Sequence, residues 1–246
     1  MCTVVFIPEK NKNIFASLRD ENPARPAAIS PAYTRNHPIT FLAPQDALGG
    51  GTWIGVNDSE TIIILLNGGF SNHISKNQYK KSRGLIVTDL LATSMPIIHW
   101  ELLDLTDIEP FTLVVWSERM LFHLVWDGLQ KFRIKLNSAE AHIFSSSTLY
   151  NKQAKENRQA AFQKWLSKHP DVTQASLLSF FNSIPDCENG FIINRSEKIK
   201  TLSYSYVELS NHAVVDFYYT DFQHQLQIAN TISMKTTISN NLATFI

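Results

Sequence analysis

The segment Thr61-Ile62-Ile63-Ile64-Leu65-Leu66 is apolar at every position after its threonine, and Asn67-Gly68-Gly69 stops it. A strand with one wet face alternates. An unbroken run predicts a strand buried on both faces, in a sheet that is covered on each side. Other strand runs are Val4–Ile7 and Ile14–Leu18, joined as a hairpin by polar Glu9–Asn13, and then Trp53–Val56. Four more follow over Phe111–Trp116, Met120–Trp126, Phe132–Leu136 and His142–Ser145, and three over Phe191–Asn194, Lys200–Leu209 and Ala213–Thr220. Helical spacing predicts a helix over Ser82–Thr93, with Ser82 as its cap and Leu85, Ile86, Leu90 and Leu91 on one face. A longer helix is predicted over Asn151–His169, with Ala154, Ala161, Phe162, Trp165 and Leu166 on the apolar stripe and Lys155, Glu156, Arg158 and Lys164 off it. A shorter one is predicted over Thr173–Phe181. The stretch from Arg19 to Asp46 leaves the strand and carries Pro23, Pro26, Pro31, Pro38 and Pro44, so it reads as loop. The order is strands, helix, strands, helices, strands. It lacks a steady β-α-β rhythm and predicts an α+β fold with antiparallel sheets stacked in the middle and helices outside.

The chain has 246 residues, with 22 basic and 22 acidic side chains and no basic stripe, which argues against a nucleic-acid partner. No run approaches the ~20 apolar residues of a membrane span. The start of the chain lacks the features of a secretory signal, and two cysteines make no disulfide framework, so a reducing cytoplasm is the simplest home. Asn57-Asp58-Ser59 and Asn194-Arg195-Ser196 are accordingly not read as glycosylation sites. The eight histidines are scattered, and neither a phosphate-binding loop nor a Gly-x-Ser-x-Gly elbow is present. Gly49-Gly50-Gly51 precedes a strand, the wrong context for a dinucleotide turn. No metal or other cofactor is expected, and no feature sets the oligomeric state.

Three places carry chemistry. Once Met1 is trimmed, Cys2 holds a thiol and a free α-amine on one residue, and such an amine is a base for its own side chain. The bland alternative is a buried, inert thiol. If the first two strands pair, Arg19 and Asp20 lie beside the start of the first. There a guanidinium lowers the thiol pKa and a carboxylate orients the amine, unless the two are simply an exposed ion pair closing a turn. Asn67, at the end of its strand, is either an oxyanion donor or a turn residue tolerating positive φ. Ser145-Ser146-Ser147-Thr148-Leu149-Tyr150 either lines a pocket with hydroxyls or approaches a helix cap. Cys187 sits among acids, which disfavours its thiolate.

The ordered set Met1–Pro8, Leu18-Arg19-Asp20-Glu21-Asn22-Pro23, Gly50-Gly51-Thr52-Trp53-Ile54-Gly55-Val56-Asn57 and Leu65-Leu66-Asn67 resembles the NRDE family, also called the transport and Golgi organisation family. The likeness continues through Ser82–Val87, Ser145–Tyr150, Asn194-Arg195 and Lys200–Ser205, so it covers residues 1–222 as one domain and leaves 223–246 as a polar tail. The resemblance implies an N-terminal-nucleophile (Ntn) hydrolase fold, a four-layer αββα sandwich, in a superfamily that includes choloylglycine hydrolases and penicillin acylases. It implies Cys2, Arg19, Asp20 and Asn67 as catalytic residues. The superfamily's second asparagine and its later arginine have no clear match in the sequence, and Arg195 is only a candidate for the arginine. The family's eponymous asparagine is replaced by Leu18, which can make no side-chain hydrogen bond.

The expected activity is therefore that of an N-terminal-cysteine amidohydrolase or acyltransferase on a small-molecule amide. Trp53, Ser147, Tyr150 and Arg195 are expected to bind the substrate, the two aromatic residues hinting at an apolar acyl or aryl group. The alternative is a non-catalytic carrier of a hydrophobic ligand such as a lipid or haem on the same scaffold, an option that Leu18 favours.

Overall fold

In the computed structural model, which describes residues 3–76, 78–210 and 214–235, strands and helices alternate in the coarse order predicted, but two helices rather than one follow the first strands, and the strand expected over Phe191–Asn194 is reduced to Asn194–Arg195. The first six strands are β1 (Thr3–Pro8), β2 (Lys12–Glu21), β3 (Ile29–Asn36), β4 (Ile39–Gln45), β5 (Ile54–Asn57) and β6 (Ile62–Asn67). Helices α1 (Arg83–Leu91) and α2 (Pro96–Leu102) come next, then β7 (Phe111–Ser117), β8 (Met120–Trp126), β9 (Lys131–Leu136) and β10 (His142–Ser145). Helices α3 (Lys152–Leu166) and α4 (Gln174–Asn182) precede β11 (Asn194–Arg195), β12 (Ile199–Ser210), β13 (Val214–Asp221) and β14 (Leu226–Ser233).

The strands form two antiparallel seven-stranded sheets. The first runs β10-β1-β2-β12-β13-β14, with β11 paired to β12; the second runs β3-β4-β5-β6-β7-β8-β9. Strand β6 is central in the second sheet and buried from Ile62 to Leu66, as its unbroken apolar run requires. One face of that sheet packs on Ile86, Val87, Leu90 and Leu91 of α1 and Trp100 of α2; the other meets Val4, Phe6 and Phe15 of the first sheet. The far face of the first sheet, with Val5, Ile7, Ile14, Ala16 and Leu18, packs on Phe162 of α3 and Leu177, Phe180 and Phe181 of α4. The layers are thus helix, sheet, sheet, helix.

Several elements differ from the sequence reading. Strand β2 does not end at Leu18 but continues to Glu21, so Arg19 and Asp20 are ladder residues rather than turn residues. The proline-rich stretch is not loop: it holds the β3–β4 hairpin. The segment after His224 supplies β14, which pairs along its whole length with β13. Arg158 is not on the wet side of α3; it is 3 % exposed. Ser82 and Asn151 cap α1 and α3 through their side chains, and Thr173 forms a capping box with Ser176 on α4.

Candidate functional site

The register of β1 on β2 organises the site. Thr3 pairs with Leu18, so Arg19 and Asp20 lie just past the described start of β1. Because successive residues of a strand face opposite ways, the two charges go to different layers. Leu18 itself is fully buried against the α3/α4 layer, a position that faces packed apolar side chains rather than a cleft. Cys2 lies outside the described residues.

Arg19 points between the sheets. Its guanidinium lies 4.5 Å from the centre of the Trp53 ring and donates to Asp46 Oδ2 at 2.8 Å. Arg25 holds the same carboxylate through two 2.8 Å bonds, and the Leu48 and Gly49 amides donate to its Oδ1. Burial alone would raise the Asp46 pKa; the Arg25 hydrogen bonds, the Gly49 amide and the two positive charges outweigh it and hold the group below its usual value. Arg19, Arg25, Trp53 and Asn67 line one cleft of about 230 Å³, closed on another side by Ser82, Arg83 and Gly84 at the start of α1. Gly51 makes that closure possible: a Cβ there would stand 2.1 Å from the Gly84 carbonyl carbon. Burial pulls the Arg83 guanidinium down despite Glu109 at 2.9 Å.

Asn67 is the last residue of β6, opposite Phe111, and it is Gly68 after it that takes the positive φ of +83°. The asparagine is thus ladder backbone with a side chain left for other work. Its carbonyl accepts from Ser146 Oγ at 2.9 Å, and its amide group has no hydrogen-bond partner among the described residues. Asn67 also borders a second cleft of about 240 Å³, with Ser145, Ser146, Ser147, His123 and Lys155. Ser147 presses on Gly68, where a Cβ would meet its Oγ at 2.2 Å, and it donates to Ser71 O at 3.1 Å. Ser145–Ser147 therefore line a cleft, while the cap of α3 is Asn151. Burial, with the charge of His142 as a lesser cause, pushes His123 down to about 4, so it is neutral near pH 7.

Asp20 points to the helix side. Thr201 Oγ1 donates to it at 2.6 Å and Tyr150 OH at 3.4 Å. A bulge in β12 creates the first contact: Arg19 pairs with Ser203 and Asp20 with Thr201, so Leu202 is the extra residue. The Tyr150 ring lies 4.1 Å from the Arg158 guanidinium and 5.1 Å from that of Arg195. Arg195 donates to Leu149 O and Glu188 O. Arg158 reaches furthest: it donates to Thr3 Oγ1, Ser145 Oγ and the carbonyls of Asn189 and Gly190, and stacks on Phe191.

The structure therefore gathers Arg19, Trp53 and Asn67 in one cleft, Ser147 beside Asn67 in the next, and Asp20, Tyr150 and Arg195 behind the sheet. The rings of Trp53 and Tyr150 are covered by guanidinium groups and offer no open apolar face. Arg158 escaped the sequence reading because of its charge, although its spacing of four from both Ala154 and Phe162 places it on the buried stripe. Asp46, Thr201 and Lys155 carry no sequence signal of their own. Among the described residues no group of His, Cys, Asp and Glu is arranged to hold a metal, and no helix is long and apolar enough to cross a membrane.

Comparison with known proteins matches this geometry to a fold. An N-acylethanolamine-hydrolyzing acid amidase orthologue from Caenorhabditis elegans superposes with a TM-score of 0.60 at 15 % identity, covering 83 % of this chain and 92 % of that one. A cysteine-to-alanine mutant of conjugated bile acid hydrolase from Clostridium perfringens gives 0.58 at 10 % identity, covering 95 % and 92 %. An arginine-to-leucine variant of the same enzyme gives 0.58 at 10 %, covering 99 % and 100 %. The fold is that of the Ntn hydrolases. No curated protein matches the sequence. The model of the family described as Transport and Golgi organisation 2 matches residues 1–237, and the chain belongs to that family.

Proposed function

We propose that this chain is an N-terminal-cysteine amidohydrolase or acyltransferase acting on a C–N amide bond of a small molecule in a reducing compartment. The observation that carries this reading is the meeting of Arg19 and Asn67 in one cleft, with Arg19 next in sequence to the ladder partner of Thr3. Cys2 is joined to Thr3 by one peptide bond, a Cα spacing of about 3.8 Å. In this reading Met1 is removed and the α-amine of Cys2 takes the thiol proton. The thiolate, favoured by the Arg19 charge, attacks the amide carbonyl. The Asn67 amide, which has no competing described partner, donates to the oxyanion together with backbone N–H groups. The protonated amine, held by Asp20, then gives its proton to the leaving nitrogen as the C–N bond breaks. Water, or an acceptor amine, releases the acyl group from the thioester.

The similarity to an acid amidase and a bile acid hydrolase supports amide chemistry as a class without naming the substrate. Leu18 no longer favours a non-catalytic carrier, because its side chain packs in the helix-side core. The test is turnover across a panel of small-molecule amides. Activity that disappears in Cys2→Ala, and in a form that retains Met1, supports the reading; activity that survives both removes Cys2 from the chemistry.

A further inference from the structure

Beyond Asn67 the second cleft runs into a third, of about 460 Å³, and Phe70, Ser147, Lys155 and Gln159 border both. Their walls change along the way. The second cleft sets Leu66, Phe70, Phe144 and His123 beside Ser145 and Ser146; the third adds Ser71, Asn72 and Asn151, and Ser147, Gln159 and Lys155 stand where the two join. The His123 ring is uncharged at pH 7 and packs against Phe70 and Phe144, with centroids 6.5 and 5.2 Å apart, so it adds no charge to that wall. Lys155 differs from most cations of this chain. Its ammonium makes no ion pair or hydrogen bond with a described residue, although α3 places it where burial already pulls its pKa down. Glu156, which also borders the third cleft, faces Lys152 at 3.9 Å. A partly desolvated cation without a counter-ion is stabilised by any anion brought to it, more strongly than a fully hydrated one.

We infer that this groove is the substrate subsite and that it takes an amide with an apolar body ending in a carboxylate, which Lys155 binds with Ser147 and Gln159 beside it. The apolar body lies along Phe70, Phe144 and neutral His123, and the scissile carbonyl lies at Asn67. The inference rests on the amidohydrolase reading for its scissile bond, but the anion site itself does not require turnover.

The experiment is calorimetric binding to Cys2→Ala, which separates binding from chemistry. The probes are suberanilic acid, an anilide whose eight-carbon chain ends in a carboxylate, and octananilide, which lacks the carboxylate. The acid is expected to bind about tenfold more tightly at pH 7. Adding Lys155→Met should abolish that difference while leaving octananilide binding unchanged, and Lys155→Arg should keep it. The preference should also fade as pH rises through the lowered Lys155 pKa. Equal binding of the two probes, a difference that survives Lys155→Met, or no binding of either overturns the subsite. Binding as expected without turnover of the acid or of any panel amide by the wild-type protein leaves the subsite standing and removes the hydrolase reading.

Discussion

The two faces of the β1–β2 hairpin end solve one problem in different ways. On the inter-sheet face Arg19 is neutralised by a carboxylate, Asp46, that a second arginine shares and a solvent-reaching cleft wets. On the helix face the bonds of Asp20 and Arg158 include hydroxyls and carbonyls: Thr201 and Tyr150 reach the acid, and Thr3, Ser145, Asn189 and Gly190 the base. An ion pair at a cleft rim can part and re-form around a ligand. A buried charge held by several hydrogen bonds cannot move without leaving each of those groups unsatisfied. The cleft side is therefore the face suited to exchange with substrate, and the helix side holds the root of β1 in place.

This contrast breaks most readily at Arg158. Replacing it with Met strands the Gly190 and Asn189 carbonyls and the Thr3 hydroxyl, and should cost ~4 kcal/mol, lowering the melting temperature by roughly 8–16 °C. A loss below ~1 kcal/mol would mean that the helix side is no more rigid than a surface pair.

His123 extends the comparison to the second cleft. Its depressed pKa means that between about 6.5 and 4 the unfolded chain binds a proton that the folded chain refuses. Stability should thus fall as pH drops through that window, by up to ~3 kcal/mol at its acid end. His123→Gln should flatten that slope in melting curves recorded from pH 7 to pH 4; an unchanged slope would show that the ring is not desolvated.

Thr201→Val removes the 2.6 Å donor from Asp20 and should cost ~2 kcal/mol by denaturant titration, with Thr201→Ser restoring most of it. The smallest effect belongs to the cleft. Asp46→Ala should cost ~1 kcal/mol at neutral pH, more at low salt than at high salt. Since the folded Asp46 pKa lies below 3.8, its contribution is present above that value and disappears as pH falls through the folded one. The variant should lack that last acid-induced loss. A salt-independent cost would place Asp46 with the buried cluster instead.

The layers and the order of elements were legible because their signals come from burial. The run at Ile62–Leu66 and the alternation along β12 report which faces are covered. Where burial is one-sided or charge intervenes, the signals fail. Strand β3 is an edge strand, and Pro44 of β4 falls where the β3–β4 register shifts between Ile29 and Ala32, so prolines there interrupt little pairing. Strand β14 is another edge and is held by backbone bonds to β13, which polar side chains do not weaken. Helix α2 is too short to show a period. Of the site, the closeness of Arg19 and Asp20 to the start of β1 could be read from the hairpin. Their separation onto two faces could not, because charged residues read as the end of a strand. The partners Asp46 and Thr201 come from distant segments joined only by the sheet topology and the β12 bulge.

The most direct test of the proposed chemistry is intact-mass and peptide mapping of the folded protein after treatment with a β-lactone. The account predicts a chain lacking Met1 that carries one adduct, on Cys2 and not on the exposed Cys187. Retention of Met1, labelling of Cys187 alone, or labelling of Cys2 only after denaturation would contradict it.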